Sequence, residues 1–320
     1  AEIAAAAQLD DDGTTILKDD FGATVDEGAV NASDLNLISG RTTATIDATA
    51  ATAINGSAAD VATALADTQI SHDDNFNVTL TATSAAATAI TAIDAATTQV
   101  VDANLVTTLT GTAAEIAAAA QLDDDGTTIL KSDFGATVDE GAVNASDLNT
   151  ISGRTSATID ATAATAINGT ATAVTTALAD TQINHDNNFT VTLTNNSTAT
   201  ALELIAINAA TTQPVTATGV TTITGSISDV NTVLAAESNQ DQAGDAIDLD
   251  ADFAVTITDT GSVAATTLTL LDSNVPGTVN AETVGTLTGT AAQIAAAATA
   301  DGNATLLLKS DFGATVDEGA

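Results

Sequence analysis

Aspartate-rich strings carry the residues best suited to chemistry. LDDDGTTILKDDFG at residues 9–22 and LDDDGTTILKSDFG at residues 122–135 each place three adjacent aspartates before a glycine. In a third string, DLDADF, the three aspartates would share one side of an extended strand. Calcium takes about six to eight oxygen ligands, mainly from carboxylates and carbonyls, so such turns could supply a site. The candidate calcium ligands are Asp10, Asp12, Asp123, Asp125, Asp133, Asp248, Asp250 and Asp252.

Two observations set a second interpretation beside calcium. The ligand orders of the EF-hand loop and of the GGxGxD calcium nonapeptide are both absent. A third copy, TADGNATLLLKSDFG, has Gly302 and Asn303 where the second has Asp124 and Asp125. The alternative is a solvated acidic edge that keeps the protein soluble and blocks lateral strand pairing. We expect no required cofactor, with calcium as the candidate ion.

Catalytic chemistry is not expected. Nucleophilic catalysis needs a base beside a nucleophile, and the two histidines, His72 and His185, occupy the same repeat phase. The basic residues also recur in phase, and we expect them to pair with neighbouring carboxylates: Lys18, Lys131, Lys309, Arg41 and Arg154. Because every rare residue follows the repeat, the sequence predicts a scaffold and no enzyme.

Composition restricts the partners. The 320 residues include five basic and 42 acidic ones, for a formal net charge of -37. This charge repels nucleic acid and anionic membranes, so divalent cations are the expected small partners. With 44% hydrophobic residues, mostly small, the chain should fold in thin layers. No apolar run reaches about 18 residues, so we expect no membrane insertion.

Tandem repetition is the strongest pattern. Residues 1–80 match residues 114–193 at an offset of 113, and a third copy begins near Gly289 at an offset of 178. Both end strings, AEIAAAA and ATVDEGA, recur inside the chain, which suggests a piece of a longer repetitive protein. The phenylalanines recur at similar intervals, each before a strand-like string: Phe21, Phe76, Phe134, Phe189, Phe253 and Phe312.

A finer period lies inside each copy. Apolar pairs recur at one fixed spacing, which is the same from Leu35 to Val61 as from Leu148 to Val174. This spacing alternates with an elastic one, which is longer from Val230 to Leu268 than from Val61 to Ile90. The sequence therefore predicts a subunit of about 28 residues.

Each subunit is expected to contain a strand and a short helix. Strings such as VTTLTG and TVTLT show the alternation typical of half-buried strands. Helix-capping patterns, a hydroxyl with an acid or amide three residues later, follow glycines: Thr112 with Glu115, Thr290 with Gln293, Ser57 with Asp60, and Ser226 with Asp229. These patterns predict helices over AAEIAAAA and ISDVNTVLAA. NASDLNTISG predicts a weaker helical turn from Asn144, and Asp123 to Gly126 should form a turn.

One strand and one short helix cannot bury a core alone, but stacked neighbours can. The expected fold is a repeat solenoid, α/β or β-solenoid, whose right-handed coils of about 28 residues alternate short strands with short helices or turns. The alternative is tandem small β-sandwich domains. We expect one continuous array over residues 1–320, with approximate units 1–20 (partial), 21–75, 76–133, 134–188, 189–252, 253–311 and 312–320 (partial).

The strings VTTLTGTAAEIAAAA, FAVTITDTGSVAATTL and TVNAETVGTLTGTAAQI carry a family resemblance. The chain resembles the tandem-repeat regions of very long bacterial extracellular or cell-surface proteins, especially those of marine bacteria and cyanobacteria. The resemblance implies export, an extracellular or cell-surface location, and a structural or adhesive role, commonly with calcium. It supplies no ligand residues.

The expected function is that of a structural repeat segment in a secreted filament, sheath or surface layer, self-associating through its repeated coils. The alternative is an adhesin stalk or binding module stiffened by calcium. A remote alternative is ice binding, because strings such as TVTLT and TTITG could present flat arrays of outward threonines.

Overall fold

Short helices alternate with short strands along the chain. The computed structural model describes residues 2–11, 17–194, 197–237 and 247–317. The helices are α1 Glu2–Asp11, α2 Ala32–Ser39, α3 Ala58–Ala66, α4 Ala87–Ala96, α5 Ala113–Asp125, α6 Ala145–Ser152, α7 Ala171–Ala179, α8 Ala201–Ala210, α9 Ile227–Glu237, α10 Ala265–Asn274 and α11 Ala291–Gly302. The strands are β1 Ala23–Thr24, β2 Gly28–Asn31, β3 Ile46–Asp47, β4 Ala51–Asn55, β5 Ile70–Ser71, β6 Val78–Thr79, β7 Ser84–Ala86, β8 Val101–Ala103, β9 Thr108–Gly111, β10 Thr128–Leu130, β11 Gly135–Val138, β12 Gly141–Asn144, β13 Ile159–Asp160, β14 Ala164–Asn168, β15 Ile183–Asn184, β16 Val191–Thr192, β17 Thr198–Thr200, β18 Val215–Ala217, β19 Thr222–Gly225, β20 Ile247–Leu249, β21 Ala254–Ile257, β22 Gly261–Ala264, β23 Val279–Ala281, β24 Val284–Gly289, β25 Leu306–Leu308 and β26 Gly313–Val316.

Consecutive helices are joined in two ways that alternate. From α2 onward, the helices of each pair α2–α3, α4–α5, α6–α7, α8–α9 and α10–α11 start at one constant spacing and are joined by two strands. The other connections contain three described strands, and the spacing between the starts of their two helices varies, from the shortest for α3 and α4 to the longest for α9 and α10. The fixed and elastic spacings of the sequence are therefore a two-strand and a three-strand connection. We call the second of the three strands the middle strand.

Parallel sheets join strands from successive connections. Every strand pair in the described residues is parallel. The two five-stranded sheets have the orders β15-β13-β11-β9-β7 and β17-β19-β21-β23-β25. In each of them a middle strand lies between two strands that precede helices and two strands that follow helices. Because a β-sandwich is built from antiparallel sheets, that alternative fold does not describe these residues.

The chain divides into two compact units. The first comprises residues 1–140, 147–163 and 182–185, and the second comprises residues 141–146, 164–181 and 186–320. In the first unit each helix from α1 to α5 contacts the next, and in the second the same holds from α7 to α11. No described helix is long and apolar enough to cross a membrane. Both units thus have the same α/β organisation, with a repeat-like pattern.

Phenylalanines mark the start of each middle strand. Phe76, Phe134, Phe189 and Phe253 are each about 1% exposed and stand one or two residues before β6, β11, β16 and β21. Phe21 and Phe312 hold the same position before β1 and β26. The prediction that each phenylalanine enters a strand is confirmed. Around these rings the core consists of Ala, Val, Ile and Leu, because adjacent strands and helices leave only thin layers between them.

Each of four phenylalanine carbonyls is bound by a threonine from the following two-strand connection. The Thr155 hydroxyl donates to the Phe134 carbonyl at 2.5 Å and accepts from the Ala157 N–H at 3.0 Å. We call this arrangement the threonine bridge. It recurs in Thr42 with Phe21, Thr97 with Phe76, and Thr211 with Phe189. Each bridge satisfies two backbone groups in separate connections, at sites where an unpaired polar group would be costly.

At a fifth site the phenylalanine carbonyl is bound without a threonine hydroxyl. Val275 occupies the position of the threonine, and the Gly277 N–H donates directly to the Phe253 carbonyl at 3.1 Å. A Cβ at Gly277 would lie 2.6 Å from that carbonyl oxygen, so only glycine allows this approach. The change from Thr to Val is therefore compensated by a glycine two residues later.

The capping patterns are confirmed. Thr112 with Glu115 and Thr290 with Gln293 form reciprocal capping boxes. Ser57 and Ser226 accept from the N–H groups of Asp60 and Asp229, and their hydroxyls donate to the shorter carboxylates. A further box, Thr200 with Glu203, was not predicted although its sequence spacing is the same.

One local prediction was wrong, and one segment is more helical than expected. Asp123 to Gly126 do not form a separate turn, because α5 continues through Asp125 and ends at Gly126, whose φ of 74° is left-handed. The helical turn predicted for NASDLNTISG is confirmed, and it extends into the eight-residue helix α6. Asn144 itself ends β12, and Leu148 and Ile151 are fully buried, so packing stabilises this helix.

We predict that T155V lowers the free energy of unfolding by about 1–3 kcal/mol, because it leaves the Phe134 carbonyl and the Ala157 N–H without partners. Adding A157G should restore part of the loss by reproducing the arrangement at Gly277. Urea denaturation of both variants tests this. T137V, an exposed Thr to Val change on β11, is the matched control. Equal losses in T155V and T137V would contradict a structural role for the bridge.

Candidate functional site

The aspartate triplet lies in the last turn of α5, and its carboxylates have different partners. Asp123 Oδ1 accepts from the Leu130 N–H at 2.9 Å. Asp124 forms an ion pair with Arg154, and Asp125 is exposed. Asp123 and Asp124 are therefore bound to different partners.

The third copy retains only the aspartate that has a backbone partner. Asp301 Oδ1 accepts from the Leu308 N–H at 2.8 Å, as Asp123 does from Leu130. The positions equivalent to Asp124 and Asp125 are Gly302 and Asn303. What the copies share is thus a helix-to-strand hydrogen bond that fixes the strand after the helix.

Lysines beside the phenylalanines pair with aspartates two residues later. Lys131 Nζ lies 2.6 Å from Asp133 Oδ1, and this hydrogen bond holds the pKa of Asp133 below its ordinary value. The same pair recurs in Lys18 with Asp20 at 2.8 Å and in Lys309 with Asp311 at 2.9 Å. The prediction that the basic residues pair with carboxylates is confirmed for these three lysines and for Arg154.

The DLDADF string is divided between a strand and a turn. Asp248 lies on β20, which ends at Leu249, whereas Asp250 Oδ1 accepts from the Asp252 N–H at 3.0 Å. The prediction that these three aspartates share one side of a strand was therefore wrong, because this side-chain bond turns the chain. The Asp250 carboxyl lies against that of Asp252 and raises the pKa of Asp252.

Glu237 lies close to this string. Burial, with a smaller contribution from the negative charge of Asp248, raises the pKa of the Glu237 carboxyl above its ordinary value. The described residues contain no group of three or more His, Cys, Asp or Glu side chains placed to hold a metal ion.

Two of the candidate calcium ligands have side chains outside the described residues. Asp10 is in α1, but its side chain lies outside the described residues, and Asp12 lies outside them altogether. Calcium binding by any of the eight aspartates stays a prediction.

The histidine at position 72 belongs to the scaffold. His72 Nδ1 lies 2.8 Å from the Asp73 carbonyl oxygen. Its ring packs edge-to-face on Phe76, with ring centroids 5.4 Å apart. These contacts hold His72, which directly follows β5, against the phenylalanine that precedes β6.

Sequence reasoning missed what several aspartates do at strand ends. Asp47 Oδ1 accepts from the Thr49 hydroxyl at 2.7 Å and from the Thr49 N–H at 3.1 Å. Asp160 does the same with Thr162, and both hydroxyl bonds hold the pKa values of these carboxyls below the ordinary range. The repeated string IDATA was the available signal, since Asp followed two residues later by Thr is typical of Asx turns.

Threonines form short rows on the less buried face of the second five-stranded sheet. Thr198 pairs in register with Thr222. A second row runs through Thr200, Thr224 and Thr256. In the first five-stranded sheet Thr110 pairs in register with Thr137, whereas Thr108 lies between Ser84 and Gly135. Ice binding stays a prediction.

No protein-family model matches the chain, and a search of curated proteins finds no match.

We predict that D123A lowers the free energy of unfolding by about 1 kcal/mol relative to D125A, because only Asp123 accepts a hydrogen bond from a strand N–H. Both variants remove one negative charge, so the difference isolates that bond. Urea denaturation at neutral pH without divalent cations measures it. If the two variants unfold at the same urea concentration with equal slopes, Asp123 has no such role.

Proposed function

We propose that the chain is a structural repeat segment of a secreted extracellular filament, sheath or surface layer. Its connections form a solenoid in which each coil packs on the next, and copies associate with one another through these repeated surfaces. The protein catalyses no reaction in this proposal.

The observation that carries the proposal is the reuse of chemically capable residues as repeated scaffold. Asp123 and Asp301 bind strand N–H groups at equivalent positions. The threonine bridge recurs in four connections, and the lysine–aspartate pair recurs in three copies. An active site needs a polar cluster that differs from the rest of the repeat, whereas a structural array needs the same contacts in every coil.

Charge sets the conditions for association. Copies with a net charge of -37 repel one another at low ionic strength. Salt shortens the range of this repulsion to about 10 Å at 0.1 M. Association of copies should therefore strengthen as monovalent salt is added.

A second candidate function is a calcium-stiffened adhesin stalk. The observation that favours it is the pair of adjacent carboxyls Asp250 and Asp252, where hydrogen bonding and charge from Asp250 raise the pKa of Asp252. A cation placed there would relieve the repulsion.

Sedimentation velocity and negative-stain electron microscopy of the purified chain, over a range of sodium chloride concentrations, test the first proposal. We expect elongated assemblies larger than the monomer that grow with salt. Monomers at every salt and protein concentration would contradict it.

Thermal unfolding separates the two candidates. We expect calcium chloride and magnesium chloride at matched ionic strength to raise the melting temperature equally, through screening alone. A rise specific to calcium and reversed by a chelator would favour the stalk instead.

A further inference from the structure

Two Asn-Gly dipeptides stand at corresponding ends of strands. Asn55-Gly56 lies at the end of β4, and Asn168-Gly169 lies at the end of β14. The other strands in this position, β9, β19 and β24, place a threonine before the glycine. Asn-Gly is the dipeptide in which the next backbone nitrogen most easily reaches the side-chain amide carbon, because glycine presents no Cβ.

In both places the asparagine side chain takes part in the strand ladder. Asn55 Oδ1 accepts from the Thr79 N–H at 2.8 Å, and the Gly56 N–H donates to the Thr79 carbonyl at 3.3 Å. The second copy is the same, with Thr192 bound to Asn168 at 2.9 Å and to Gly169 at 3.2 Å. One threonine on the neighbouring middle strand thus holds both groups that would react.

The fold also requires the glycine. Gly56 and Gly169 have φ values of 157° and 151°, which L side chains rarely adopt. A Cβ at Gly56 would lie 3.4 Å from Ala32 Cβ, and one at Gly169 would lie 3.5 Å from Ala145 Cβ. These are ordinary van der Waals distances, so it is the backbone conformation that requires the glycine. The ladder uses the asparagine, and the reactive dipeptide therefore follows from the architecture.

We propose that Asn55 and Asn168 are deamidation sites that the closed ladder protects and local opening exposes. In the open state the Gly56 nitrogen loses its proton and attacks Asn55 Cγ. A C–N bond forms, the Cγ–Nδ2 bond breaks, and ammonia leaves with the proton. Water then cleaves one of the two imide C–N bonds, which gives aspartate or isoaspartate. In the closed state the Gly56 proton is donated to Thr79 and is not available to a base.

The two products affect the ladder differently. Aspartate keeps an oxygen acceptor for the Thr79 N–H and adds one negative charge. Isoaspartate routes the backbone through the former side chain and adds a methylene between Asn55 and Gly56, which moves Gly56 out of register with Thr79. An opening event that leads to isoaspartate therefore leaves a permanent covalent change in the backbone. This proposal goes beyond the structural role and does not depend on self-association.

Peptide mapping by mass spectrometry of the full chain in mildly alkaline buffer, with and without denaturant, tests the proposal. Both sites should convert at similar rates in denaturant and at least about tenfold more slowly in the native chain. Equal rates in the two conditions at either site would overturn protection by the ladder.

Matched variants test which residue protects each site. T79P removes the N–H that binds Asn55, so it should accelerate deamidation at Asn55 and leave Asn168 unchanged. T192P should do the reverse. Acceleration of both sites in a variant that retains native circular dichroism would overturn the assignment.

If the proline variants fail to fold, V78A and V191A replace them, since both valines are about 1% exposed beside the same threonines. V78A should accelerate Asn55 alone and V191A should accelerate Asn168 alone. A folded V78A chain with no change at Asn55 would overturn the proposal.

Discussion

The structure depends on one constraint. The described strands of one connection do not pair with one another, so their backbone N–H and C=O groups need partners in other connections. The strands contain two to six residues and pair only with strands from neighbouring connections. The shortest helices have eight residues, too few to be stable alone in water. Each connection therefore acquires its hydrogen bonds and buried area from its neighbours. The threonine bridge is the side-chain form of the same dependence, since one hydroxyl serves backbone groups of two connections.

This constraint also explains the chemistry of the surface. Several carboxylates are used where the chain turns or where a strand follows a helix. Asp47 and Asp160 close turns, Asp123 and Asp301 bind strand N–H groups, and Asp133 pairs with Lys131. The same reuse places Asn-Gly dipeptides in the ladder and leaves them chemically vulnerable when it opens.

Local features could be predicted from the sequence because they depend on residues a few positions apart. The hydroxyl caps and the strand alternation have local causes, and the fixed helix spacing is visible as a repeat. The make-up of the sheets could not be predicted, since strands pair with partners far along the chain, as in Ala23 with Ile46 and Val215 with Ile247. The triplet from Asp123 looked like a loop because aspartate and glycine favour turns, yet the alanine-rich helix before it continues until Gly126. The threonine bridge was invisible because its partner, the phenylalanine carbonyl, lies about 21 residues earlier.

Native-state hydrogen exchange of the full chain through a urea series tests most directly whether each connection is stabilised by its neighbours. The account predicts a range of opening free energies within each compact unit, with paired strands such as β9 and β11 opening together and distant strands opening separately. A single opening free energy shared by all protected amides of a unit would contradict it, because that unit would then behave as an ordinary globular domain.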